Sequence, residues 1–71
     1  MTKSEQVQVL IMDNNIDRSI VTIATDGNGH GLLIDRCNET CGNPEFSEKP
    51  VEELKDIVIG QFKSDISSLF S

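Results

Sequence analysis

His30, Cys37 and Cys41 are the soft, nucleophilic or metal-ligating side chains of this chain. The cysteines stand four positions apart, with the histidine seven residues upstream. A closed zinc site needs four N or S ligands in a tetrahedron. Here three are present at most, so Asp35, Glu39 or a second subunit would have to complete it. The C-x3-C spacing also departs from the C-x2-C pairs typical of zinc modules. No Lys, Arg or His stands immediately beside Cys41 to favour its thiolate. Small, buried structural thiols are therefore the expectation, with a redox or disulfide pair as the alternative. No cofactor and no metal are expected. For His30 a nucleophile and an orienting acid would have to converge in space, and Asp26 is the nearest acid. A solvated loop histidine is the plainer expectation.

Two segments imitate calcium loops and fail on spacing. Asp13-Asn14-Asn15-Ile16-Asp17 begins correctly, but Arg18 stands where glycine is required and Ala24 where glutamate is required. Asp26-Gly27-Asn28-Gly29-His30-Gly31 supplies glycine but places Cys37 at the bidentate position. That glycine segment is also no phosphate cradle, because no Lys-Ser/Thr pair follows it. Asn38-Glu39-Thr40 matches a glycosylation sequon, which carries meaning only on a secretory route.

The acids are the remaining chemical feature. The 71 residues hold 12 acids against 6 bases, a formal charge of -6. Seven of the acids fall between Asp35 and Asp56 (Asp35, Glu39, Glu45, Glu48, Glu52, Glu53, Asp56). Such a chain repels nucleic-acid phosphates and anionic lipid, so neither direct nucleic-acid binding nor a membrane surface is expected. No apolar run approaches the ~20 residues that span a bilayer. The polar start, Met1 to Gln6, lacks the apolar core of a signal peptide, which makes the cytoplasm the expected compartment.

The elements that must position these residues read as strands followed by a helix. Gln6 to Met12 starts with a two-residue alternation, Val7, Val9 and Ile11 against Gln6 and Gln8, before Leu10 and Met12 make the second face apolar. Asp13 to Asp17 is rich in turn formers. Arg18 to Thr25 contains Ile20, Val21, Thr22 and Ile23, the densest β-propensity of the chain. The glycine segment 26–31 then suits a hairpin loop, and Leu32 to Cys37 suits a third strand. From Pro50 the period changes: Val51, Leu54, Val58, Phe62, Ile66 and Leu69 share one helical stripe, with Gly60 in mid-helix.

The expected fold is therefore α+β. A three-stranded antiparallel meander is followed by one C-terminal amphipathic helix packed on one sheet face (β-β-β-α). Residues 1–71 form a single domain, with a polar tail at 1–5, a polar loop at 38–49 and the helix at 50–69. Leu10 and Met12 would lie on the uncovered sheet face, and Glu52, Glu53 and Asp56 on the outer face of the helix. Those five residues are the candidate interface. With 37% hydrophobic residues, three phenylalanines and no Trp or Tyr, the core is thin for a lone monomer, and a homodimer is expected.

No acid/base pair or nucleophile cluster stands out, so the chain is not expected to be an enzyme. The expected function is that of a small acidic interaction module. It would serve as an adaptor, regulator or inhibitor of another protein, with a phage or mobile element as the origin that size and charge suggest. The alternative is an acidic mimic of nucleic acid that occupies the site of a DNA- or RNA-binding protein.

Overall fold

A computed structural model describes residues 1–14, 19, 21, 22 and 29–70, and among these no strand occurs. Among the described residues three helices carry the fold: α1 (Lys3–Asp13), α2 (Gly29–Gly42) and α3 (Val51–Phe70). Ser19, Val21 and Thr22 also have helical backbone. Thr2 caps α1, its hydroxyl oxygen accepting from the Glu5 backbone N–H at 3.2 Å and donating to the Glu5 carboxylate at 3.1 Å. This Thr-x-x-Glu spacing marks a helix start and satisfies one of its orphan donors. Asn14 ends the helix with both its backbone N–H and its side-chain amide on the Leu10 carbonyl. At α3 the Pro50 carbonyl accepts the first helical bond from Leu54, and Glu52 and Glu53 place charge where the helix dipole favours anions.

The core forms where these helices meet. Val7 and Ile11 come from α1, Leu33 and Cys37 from α2, and Leu54, Val58, Phe62 and Ile66 from α3. In every case the spacing is four residues, the distance that returns a side chain to the same helical face. All three helix pairs are in contact. α2 and α3 run antiparallel: Arg36 meets Asp65, and Thr40, four residues on, meets Gln61, four residues back. The 20 residues of α3 span about 30 Å at helical rise, close to the 33 Å long dimension of the molecule.

The β-β-β-α expectation is overturned. Its first strand, Gln6 to Met12, lies inside α1, and its third, Leu32 to Cys37, lies inside α2. Of its second, Ser19, Val21 and Thr22 are helical and the other residues lie outside the described set. The cause is a period misread. Val7 and Ile11 share a face under either reading, but Leu10 is half-buried while Val9, between Val7 and Ile11 in the alternation, is 38% exposed, which fits a helical face and not alternation. Gly29, His30 and Gly31 open α2 in place of closing a hairpin, while Asp26 to Asn28 lie outside the described residues. The tail at 1–5 is the cap and first turn of α1.

The loop at 38–49 is also shorter than expected, because α2 continues to Gly42. A hydrogen-bonded turn then leads towards α3. The Asn43 carbonyl accepts from the Phe46 and Ser47 N–H groups at 2.9 Å each, and its side chain accepts from Glu45 N–H at 2.9 Å. Phe46 pins this turn to the core, and Lys3 donates to the Ser47 carbonyl from across the bundle.

Gly60 lies on the exposed side of α3, and a Cβ placed there would meet nothing within 4 Å. Close packing therefore does not require it. Gly60→Ala should raise stability by about 0.5–1 kcal/mol, because alanine loses less backbone entropy on entering a helix. A shift of the urea midpoint to higher denaturant at unchanged slope checks this.

Candidate functional site

A polar arrangement lies along the seam of α2 and α3. Arg36 sits at its centre, with a fork onto the Asp65 carboxylate: Nε meets Oδ2, and Nη2 meets Oδ1 at 3.1 Å. Nη1 reaches Glu39 Oε2 at 2.5 Å. The Asp65 bonds, followed by the charge of Asp65 and Glu39, hold the guanidinium pKa above its ordinary value. One helical turn on, Thr40 is 2% exposed and donates its hydroxyl to Gln61 Oε1 at 3.1 Å. This is the one buried polar side chain among the described residues, and it has its partner.

Arg36, Glu39, Thr40, Asn43, Phe46 and Gln61 line a cleft of about 100 Å³. That is room for a few waters and well below the ~300 Å³ of a typical small-molecule site. A wider hollow of about 570 Å³ lies over Leu32, Asp35, Arg36, Asn38 and Glu39. All five belong to α2, so among the described residues no second element walls it, and it is an outer helix surface.

The thiols lie inward on α2 and both are free. Cys37 is fully enclosed in the core, and burial, helped by neighbouring Cys41, pushes its pKa from 9.0 up to about 11. Cys41 is half-buried; its pKa is raised by burial, with the Lys3 charge opposing. Lys3 is thus the cation that inspection of Cys41's chain neighbours missed, because it arrives from α1, 38 positions away in the sequence. A thiol on an apolar helical face at four-residue spacing was the available signal for Cys37 as core.

The other expected site residues separate. His30 is exposed in the first turn of α2, two turns from Cys37. No three His, Cys, Asp or Glu side chains converge to hold a metal among the described residues. Leu10 is half-buried on the flank of α1, while Met12 is 44% exposed. Met12 and Val9 share the outer face of α1 at a spacing of three. Both residues lie in α1, and no sheet occurs among the described residues, so the uncovered sheet face assigned to Leu10 and Met12 is overturned. Glu52, Glu53 and Asp56 are all exposed on α3, away from Leu54 and Val58. Lys49 pairs with Glu53 at 3.6 Å, whereas Glu52 and Asp56 carry no ion pair among the described residues.

No family model matches this chain, and neither a curated protein nor a solved structure does. No helix among the described residues is long and apolar enough to cross a membrane.

Two outcomes test this seam. Arg36→Ala and Asp65→Ala should be non-additive, with a coupling of about 1 kcal/mol or slightly more, because the fork is charge-assisted and partly shielded. A double-mutant cycle measured in urea reads it. The Cys37 proton gives the second. The folded chain retains a proton that the unfolded chain releases near the ordinary value, so this stabilisation is complete below pH 9 and is lost as pH rises towards about 11. The urea midpoint of the native chain should fall across that window more steeply than that of Cys37→Ala.

Proposed function

We propose that this chain works by binding and not by catalysis. It is an acidic helical module that docks on another protein as an adaptor, regulator or inhibitor. The observation that carries this reading is the outer face of α3, where Glu52, Glu53 and Asp56 stand exposed just after Glu45 and Glu48, also exposed. Glu52 and Asp56 are available to a basic partner surface, Glu53 shares its charge with Lys49, and the enclosed core lies behind all three. Charge of one sign on a fixed element speeds encounter and selects partners more than it raises affinity.

A second copy of the chain is part of the proposal, as the occupant for the outer face of α1 with Val9 and Met12. The cytoplasm is the compartment in which two free thiols are most at home. Mimicry of nucleic acid is the alternative. Acids four residues apart on a helix recur about every 6 Å, sparser than the ~3.4 Å per charge along one DNA strand.

Capture from a cell extract with the immobilised chain tests the reading, using Glu52→Lys, Glu53→Lys, Asp56→Lys as the control. A protein retained by the native chain and lost with the triple variant is the expected result. Equal retention by both would remove the acidic face from consideration. A moderate weakening of retention from ~50 mM to ~200 mM salt supports docking of the acidic face on an ordinary basic surface, while a loss of several powers of ten identifies a mimic. Light scattering reads self-association in the same samples.

A further inference from the structure

Cys37 and Cys41 are a turn apart on the inward side of α2, and Cys41 lies in the final turn of that helix. At this spacing an α-helix holds the two Cβ atoms about 5–6 Å apart. A disulfide requires about 3.5–4.5 Å. The folded helix thus keeps the thiols close but out of bonding reach. Joining them requires release of the helical bond from the Cys41 N–H to the Cys37 carbonyl, which unwinds the last turn. Two tertiary contacts depend on that turn. Thr40 lies within it and donates to Gln61, and it leads directly into the Asn43–Lys49 turn that Phe46 fixes to the core.

We propose that the C-terminal turn of α2 is a redox-sensitive latch: with both thiols reduced it closes onto α3, and a Cys37–Cys41 disulfide opens it. The co-reactant is a small disulfide such as oxidised glutathione. The Cys41 thiolate, half-exposed and near Lys3, attacks one glutathione sulfur. An S–S bond forms to Cys41, and one glutathione thiolate leaves. Local opening then exposes Cys37, whose thiolate attacks the Cys41 sulfur and expels the second glutathione thiolate. The protein loses two electrons and two protons, and one glutathione disulfide becomes two glutathione thiols. The order of attack follows from burial, since enclosed Cys37 can react only after the turn lifts. Reduction reverses each step and lets the helix re-form.

Because oxidation and closure exclude one another, unfolding should favour the disulfide. The full chain is equilibrated in glutathione buffers, with and without denaturing urea, and the Cys37–Cys41 disulfide is quantified by mass spectrometry. The expected result is an equilibrium constant for oxidation at least about tenfold larger in urea. In native buffer, oxidation should also accelerate amide exchange over residues 39–49 and lower helical ellipticity. Cys41→Ser, which leaves Cys37 in the core, should show neither change with oxidant. Equal constants in both conditions, or a disulfide formed with unchanged exchange at 39–49, would overturn the latch. So would glutathione held on Cys41 with no onward closure even in urea.

Discussion

Burial of the α3 stripe between two shorter helices is the constraint on which the remaining structure depends. α1 has 11 residues and α2 has 14, lengths at which an isolated helix is marginal in water. α3 has 20 but carries Gly60 on its outer side. None of the three has strong internal reasons to persist. Leu54, Val58, Phe62 and Ile66 extend over about 18 Å of α3 at helical rise, long enough to serve both partners. Val7 and Ile11 reach that stripe from one side and Leu33 and Cys37 from the other. Helix formation and core formation are therefore one event. The placement of every polar group along the seam inherits its register from it.

That register is reinforced by polar pairs whose main effect is to select one alignment. Arg36 with Asp65 and Thr40 with Gln61 are satisfied together only when α2 and α3 run antiparallel at this offset. Sliding α3 by one residue turns its side chains by about 100° and would leave the buried Thr40 hydroxyl without an acceptor. Desolvation offsets much of the attraction in a partly shielded ion pair, so the fork adds modest stability. Its larger contribution is to disfavour the shifted packings that a uniformly aliphatic stripe would tolerate. Lys3, reaching the Ser47 carbonyl, ties the start of α1 to the turn between α2 and α3 in the same manner.

Legibility in the sequence followed the length of the periodic signal. The stripe Leu54, Val58, Phe62, Ile66 holds one spacing over three successive intervals, and no strand pattern competes with it, so its helix can be read directly. α1 offers only Val7 and Ile11 as fully buried positions, and that pair fits two-residue alternation as well as it fits a helix. The deciding signal lay at the polar end, where Thr2-Lys3-Ser4-Glu5 is a helix-start box. A segment that looks like a tail was in fact a cap. In α2 the run Leu32-Leu33-Ile34 is silent on period, and the glycines before it favour a turn. Only Leu33, Cys37 and Thr40 taken together trace a helical face, and that requires treating a cysteine and a threonine as core. Val21 and Thr22 are helical despite their β-propensity, which yields readily to tertiary context. Of the seam, neither the Arg36–Asp65 nor the Thr40–Gln61 pairing was visible, because both depend on an alignment of distant segments.

The exposed acids of α3 need to be separated by what each does for the helix itself. Glu52 and Glu53 lie in the first turn, beside the unpaired N–H groups, where a negative charge stabilises the helix whether or not anything binds. Glu53 also meets Lys49 at 3.6 Å, an exposed pair of little net energy. Their presence is therefore accounted for locally. Asp56 is different. It sits beyond the first turn, where the dipole has largely decayed, and aspartate is among the poorer residues for a helix interior. Neither helix propensity nor an ion pair among the described residues accounts for an exposed carboxylate at that position. Of the acids on this face, Asp56 is thus the one that the helix dipole and the ion pairs of the described residues leave without a local role.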